Sequence, residues 1–270
     1  MLTASRALQK ARSTGHPLPE VPELAALYAA GCRPKRGQML LLTGMPKAGK
    51  SLFGLWWAKK MGLSTLYVSA DMDSHEALTR LAASETGTPS DKVAEHLLDE
   101  DGAEYYADAV EDIPIQWVFD SAPSLWDLEE ELDCYVEAHG HWPELIVIDN
   151  LMNVVGESEG DDPTVGMQGI LKALHGLARE TGAAIFVLHH VSENVQTDAT
   201  IPAPRRGVQG KVSQLPEIVL TVALDPRNNR FGVACVANRG GPCDPTGKLF
   251  TSLRSIPEMC RFTAWIPTHY

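Results

Sequence analysis

From Gln38 onward, short and almost continuously apolar runs alternate with longer stretches in which apolar residues recur every three or four positions. The runs are MLLLTG, STLYVS, IQWVF (115–119), ELIVID (144–149) and AAIFVLHH (183–190). Each is too short for a typical helix and is bounded by polar residues, glycine or proline, so each predicts a strand. Between them, SLFGLWWAKKMG, SHEALTRLAASETG, LWDLEEELDCYVEAHG (125–140) and VGMQGILKALHGLARETG (165–182) predict helices, each ended by glycine. Residues 88–112 are acidic and read as helices with loops. Strands apolar on both faces, alternating with helices, predict an α/β fold: a mostly parallel sheet flanked by helices. A long polar loop rich in Pro and Gly follows (191–210). After it, IVLTVAL (218–224) with FGVACVAN (231–238), and KLFTSL with RFTAWI, predict C-terminal antiparallel hairpins. Residues 1–36 read as an N-terminal helical lead or arm, with a Pro-rich turn from His16 to Pro22 and a helix near Glu23–Ala30; residues 37–270 read as one domain.

The first strand runs into Gly44-Met45-Pro46-Lys47-Ala48-Gly49-Lys50-Ser51, a complete G-x-x-x-x-G-K-[ST] loop with a helix behind it starting near Leu52. The chemistry needs these residue types. Glycines let backbone N–H groups curl around phosphates, a lysine reaches the β/γ oxygens, and a hydroxyl ligates Mg²⁺. The helix N-terminus adds a favourable dipole. Strand before and helix after set this loop apart from a glycine turn with an incidental lysine.

Such a loop also requires a carboxylate ending a buried strand, to hold Mg²⁺ through water. Asp149, closing the ELIVID run about a hundred residues downstream, supplies it. Hydrolysis of a bound nucleotide needs an acid that polarises the attacking water. Asp71, at the tip of STLYVSAD, is the candidate, with Asp73 as local rival; either could instead cap the SHEALTRL helix. His189 and His190 are neighbours on a strand and point to opposite faces, so they cannot clamp one metal. Trp56 and Trp57 read as packing against the sheet rather than as a platform for bases.

Composition changes the picture at two points. Five cysteines are dispersed and never spaced as CxxC, the N-terminus lacks an apolar signal-like stretch, and no apolar run reaches a membrane span; the expectation is a cytoplasmic protein without a membrane partner. The net charge is −12, yet Val93 to Leu171 contains 21 acids and no Lys or Arg, leaving the rest of the chain mildly basic. The total speaks against a general nucleic-acid coat; the distribution leaves DNA open on the basic side.

GMPKAGKS, YVSADMDSHEALTRL, ELIVIDNL, LKALHGLARETGAAIFVLHH, RRGVQGKVSQLPEIVLTV and VANRGGPCDPTGKLF in this order resemble the RecA-like core of hexameric replicative helicases, the DnaB and plasmid RepA type, over about residues 36–265. The LHH strand end and the R-G that follows lie nearest the RepA-like branch of single-core members, and 270 residues leave no room for DnaB's extra N-terminal domain. The resemblance implies that Gly44, Gly49, Lys50 and Ser51 bind ATP phosphates and Mg²⁺, and that Asp149 is the metal acid. It further implies that His190 senses the γ-phosphate and relays to a DNA loop, and that Arg239 reaches the neighbouring subunit's site. Two residues depart from the pattern: Asp71 stands where the family has Glu, and Ala237 where the DnaB type has Lys. A finger in trans requires head-to-tail assembly, with a hexameric ring expected. Arg205, Arg206 and Lys211 flank the long loop and are expected to contact single-stranded DNA through its phosphates; no aromatic interleaves them, so binding should ignore sequence. The expected function is an ATP-driven DNA helicase. The alternatives are a RecA-core recombinase or strand-annealing ATPase forming filaments, and a regulatory ATPase without nucleic acid. In the ring, the acidic block is expected on the outer or partner-facing surface.

Overall fold

The computed structural model describes residues 15–156, 163–192 and 198–266. Nine strands form one sheet: β1 (Met39–Gly44), β2 (Thr65–Ser69), β3 (Ile115–Phe119), β4 (Leu145–Asp149), β5 (Ala184–His190), β6 (Ile218–Asp225), β7 (Arg230–Asn238), β8 (Thr251–Ile256) and β9 (Arg261–Ala264). Their spatial order is β3-β2-β4-β5-β1-β6-β7-β8-β9. The first six strands pair in parallel, and β6 to β9 pair antiparallel. The expected α/β architecture with C-terminal antiparallel hairpins is therefore present. One boundary differs: the last hairpin starts at Thr251, because Asp244 accepts hydrogen bonds from Thr246 and Leu249 and winds residues 244–249 into a turn.

Seven α-helices accompany the sheet among the described residues: α1 (Ala25–Ala29), α2 (Lys50–Met61), α3 (Ser74–Thr86), α4 (Ser90–His96), α5 (Gly102–Val110), α6 (Leu125–His139) and α7 (Pro163–Thr181). The helix expected near Glu23–Ala30 opens as a 3₁₀ turn at Pro22–Leu24 before α1, since proline lacks the N–H needed further inside a helix. Asp73 caps α3 by accepting the Glu76 N–H at 2.8 Å. Ser124 and Asp127 form a reciprocal capping box at the start of α6. Within the 191–210 stretch and just beyond it, 3₁₀ turns form at Arg205–Gly207 and Gln209–Gln214, and Val191 bridges to Val208.

The apolar runs are continuous because both sheet faces are buried. Leu40, Leu42, Tyr67, Val147, Phe186 and Leu188 face one cluster, with Phe53, Trp56 and Trp57 of α2. Met39, Leu41, Val68, Ile146, Ile148 and Val187 face the other, with Leu132 of α6 and Leu174 of α7. Phe53, Trp56, Phe231 and Phe262 pack ring against ring at 4.7–5.7 Å, joining α2 to the antiparallel strands. Trp56 and Trp57 are fully buried, in keeping with their reading as packing. Leu18, Val21, Leu24, Leu27 and Cys32 enter the first cluster, so residues 18–32 are packed into the same core. Residues 1–14 of the lead lie outside the described residues.

Leu24 is fully buried in that cluster. Leu24→Ala is expected to lower the free energy of unfolding by about 2–5 kcal/mol, measured by urea denaturation. A change near zero would mean that the segment is not part of the core.

Candidate functional site

Parallel register brings the sequence candidates to one edge of the sheet. Gly44 lies beside His190 in the β1–β5 pairing, and Ser69 beside Asp149 in the β2–β4 pairing. The phosphate loop leaves β1 at this edge, and α2 begins at Lys50. Gly49 caps α2 with φ of 81°, a left-handed conformation that glycine adopts without steric cost. Lys50 is buried and its ammonium folds back, donating to the carbonyls of Gly44 at 3.2 Å and Met45 at 2.9 Å. Burial lowers its pKa to about 8, against the opposing pull of Asp149 and Asp71.

Ser51 Oγ donates to Asp149 Oδ1 at 3.1 Å. The other oxygen, Oδ2, accepts from the Tyr67 hydroxyl at 2.9 Å. Burial raises the Asp149 pKa to about 6, and the two hydroxyl donors offset part of that rise. Asp71 Oδ2 accepts from Asn150 Nδ2 at 2.5 Å, so the residue after the metal-acid candidate orients the base candidate. Asp73, its rival, is committed to the cap of α3.

The two histidines separate as alternation requires. His189 is fully buried and its Nε2–H donates to the Gln209 carbonyl at 3.1 Å; burial depresses its pKa to about 4, which keeps it neutral. His190 is partly exposed, and its pKa is lowered by burial and by nearby Lys50. Its Nδ1 is buried without a hydrogen-bond partner among the described residues. Glycine-framed loop, inward lysine, serine against carboxylate and an unpartnered histidine nitrogen fit a nucleoside triphosphate with Mg²⁺.

Arg239 lies elsewhere. Because β7 runs antiparallel to β6, Asn238 pairs with Ile218, next to Leu40 at the start of β1. The span from there to Gly44 is about 13 Å at ~3.3 Å per residue. Arg239 is half exposed, donates from Nη2 to the Gln214 carbonyl at 2.6 Å, and lies 3.9 Å from Glu217. Glu217 also accepts from His175 at 2.7 Å and from the Met39 N–H at 3.1 Å. Ala237, where the related pattern has Lys, is buried in β7. Arg205 and Arg206 sit in the 3₁₀ turn at 205–207; the Lys211 side chain lies outside the described residues.

Tyr67, Asn150 and Glu217 escape a reading of the sequence. Tyr67 looks like one more apolar strand residue until the β2–β4 register sets it beside Val147 and within reach of Asp149. Asn150 and Glu217 carry no motif; only the fold brings them to their partners.

The Asp149 carboxyl generates a pH signature. In the folded chain it keeps its proton up to about pH 6, and in the unfolded chain only up to 3.8. Its stabilising contribution is therefore complete below 3.8 and is lost as pH rises through 6. Asp149→Asn removes that loss: its stability relative to the parent is expected to rise by up to about 3 kcal/mol from about pH 4 to about pH 7 in urea titrations. A pH-independent difference would contradict the buried, raised carboxyl.

Comparison with known proteins bears on this geometry. A family model described as AAA domain matches residues 7–196. The chain is 36% identical over 264 residues to the Gene 65 protein of Mycobacterium phage L5, covering 96% of this chain and 97% of that protein. It is 35% identical over 226 residues to the Gene 65 protein of Mycobacterium phage D29, covering 82% and 96%. Among solved structures, an ATPase domain determined on its own superposes with a TM-score of 0.79 at 18% identity, over 97% of each chain. A DnaB-like replicative helicase, solved in a study of its interactions with primase, gives 0.77 at 19% identity over 97% of this chain and 66% of that one. The RadB recombinase gives 0.53 at 14% identity, over 86% and 93%. No helix among the described residues is long and apolar enough to cross a membrane. The chain belongs to the AAA-domain family and has the RecA-like core fold of the DnaB-like replicative helicases.

Proposed function

We propose that this protein is an ATP-hydrolysing DNA motor, a replicative-type helicase that translocates on single-stranded DNA as a homohexameric ring in the cytoplasm. The observation that carries the reading is the convergence of Lys50, Ser51, Asp71, Asp149 and His190 at one edge of the parallel sheet, with Ser51 bonded to Asp149. The backbone from Gly44 to Leu52 would cradle the phosphates, and Lys50 would exchange its two carbonyl partners for the β/γ oxygens. Ser51 and Asp149 would hold Mg²⁺, which when bound neutralises charge on the phosphates. Asp71, oriented by Asn150, polarises the attacking water. His190 reads the γ-phosphate position with its unpartnered ring nitrogen.

Arg239 supports assembly. It sits at the end of the sheet away from its own phosphate loop, so as a finger it serves the site of a neighbour. That requires a head-to-tail contact, which closes into a ring or propagates as a filament. Arg205, Arg206 and Lys211 then supply phosphate contacts to single-stranded DNA, with the strong salt dependence of such contacts. The likeness to the isolated ATPase domain and to the DnaB-like helicase exceeds that to the RadB recombinase, which favours the ring over the filament.

Strand displacement on forked duplexes with 5′ or 3′ tails tests the reading. The intact chain is expected to release the strand with ATP and Mg²⁺, and Arg239→Ala to lose about a thousandfold in ATP turnover. Mixing that variant with intact subunits should restore turnover at the variant's own sites. No displacement would leave an ATPase of another kind, and no rescue would remove the finger in trans.

A further inference from the structure

A cleft of about 930 Å³ lies on the flank of the molecule, outside the phosphate-loop site. One wall is the segment carrying Pro202, Pro204, Arg205 and Arg206; the other is the turn between β7 and β8, carrying Thr246 and Lys248. Ser213 and Gln214 contribute the third side. The walls are locked together: the Arg205 N–H donates to the Pro245 carbonyl at 2.9 Å. At Gly247 a Cβ would come within 2.7 Å of the Pro202 carbonyl oxygen, so the turn seats directly on the opposing backbone. Arg205 is aimed by a 3.4 Å hydrogen bond from Nη2 to the Ser213 carbonyl.

The charge in this cleft is uncompensated. Arg205, Arg206 and Lys248 form no ion pair among the described residues. The carboxylate that also lines it, Asp198, accepts from the N–H and hydroxyl of Thr200 at 2.9 and 2.6 Å. Three fixed cations around an open groove call for a ligand with repeated negative charge. The lining holds no aromatic ring, so a nucleobase has nothing to stack on, whereas a phosphodiester backbone needs only cations and hydroxyls.

We propose that this cleft binds the phosphodiester backbone of single-stranded DNA, with Lys248 contacting a phosphate from the wall opposite Arg205 and Arg206. The proposal rests on the DNA-motor reading and extends it to a residue outside the 191–211 segment. DNA is then gripped between two walls rather than by one projecting loop. Because Gln214 lines the cleft and its carbonyl holds Arg239, the bound strand also adjoins the finger's anchor.

The test is binding of a fluorescein-labelled oligothymidylate to the full chain across a salt series, with a non-hydrolysable ATP analogue present. Lys248→Ala is expected to weaken binding and to reduce the slope of log affinity against log salt by about 0.7, one phosphate contact on a single strand. Lys248→Arg should keep the slope. Lys92→Ala, at an exposed lysine paired with Glu95, should leave it unchanged. Binding of a fluorescent nucleotide should match the parent in all three variants. If Arg206→Ala lowers the slope and Lys248→Ala does not, the two-walled cleft is overturned while the DNA reading stands. If the intact chain binds no oligothymidylate at any salt concentration, the DNA reading itself falls, and the cleft with it.

Discussion

Burying the carboxylate of Asp149 costs free energy that only well-placed donors offset. Two hydroxyls supply them, Ser51 from the first turn of α2 and Tyr67 from β2, at 3.1 and 2.9 Å. That arrangement demands that three pieces of chain be in register: β1 to launch the phosphate loop, β2 to carry Tyr67 and β4 to end on Asp149. The parallel sheet meets the demand, and Asp71 and His190 arrive at the same edge because they follow strands of matching length. The folded-back Lys50 belongs to the same constraint, since its ammonium takes neutral carbonyl partners and not the adjacent carboxylate.

The second half of the sheet does different work. Strands β6 to β9 turn the chain antiparallel and carry Arg239 to the end away from the phosphate loop, where Glu217, Gln214 and the start of β1 hold it. Charge follows the same division. The acidic block covers α5, β3 and α6 at one side of the sheet, whereas Arg205, Arg206, Lys248 and Arg239 gather around β6 and β7. A net charge of −12 thus coexists with a basic cleft, because the sheet separates the two signs.

Most of the fold is legible in the sequence, and the reason is physical. A strand buried on both faces must be apolar throughout, so its run stands out, and a phosphate loop joins a strand to a helix in a fixed spacing. Asp149, Lys50 and Ser51 follow from that. The choice between Asp71 and Asp73 is not legible: both fit a cap, and only the 2.8 Å bond from the Glu76 N–H assigns the cap to Asp73. Tyr67, Glu217 and Lys248 are hidden for another reason. Each acts through a neighbour that is remote along the chain, by cross-strand register for Tyr67, by the β1–β6 junction for Glu217 and by the seating of one turn on another loop for Lys248.

A structure of the protein with a non-hydrolysable ATP analogue and Mg²⁺ tests the central claim most directly. The expected result is a triphosphate in the Gly44–Ser51 loop, with the Lys50 ammonium moved from the Gly44 and Met45 carbonyls to the phosphates and the metal between Ser51 and Asp149. A nucleotide bound elsewhere, with Lys50 still on those carbonyls and Ser51 still on Asp149, would contradict it.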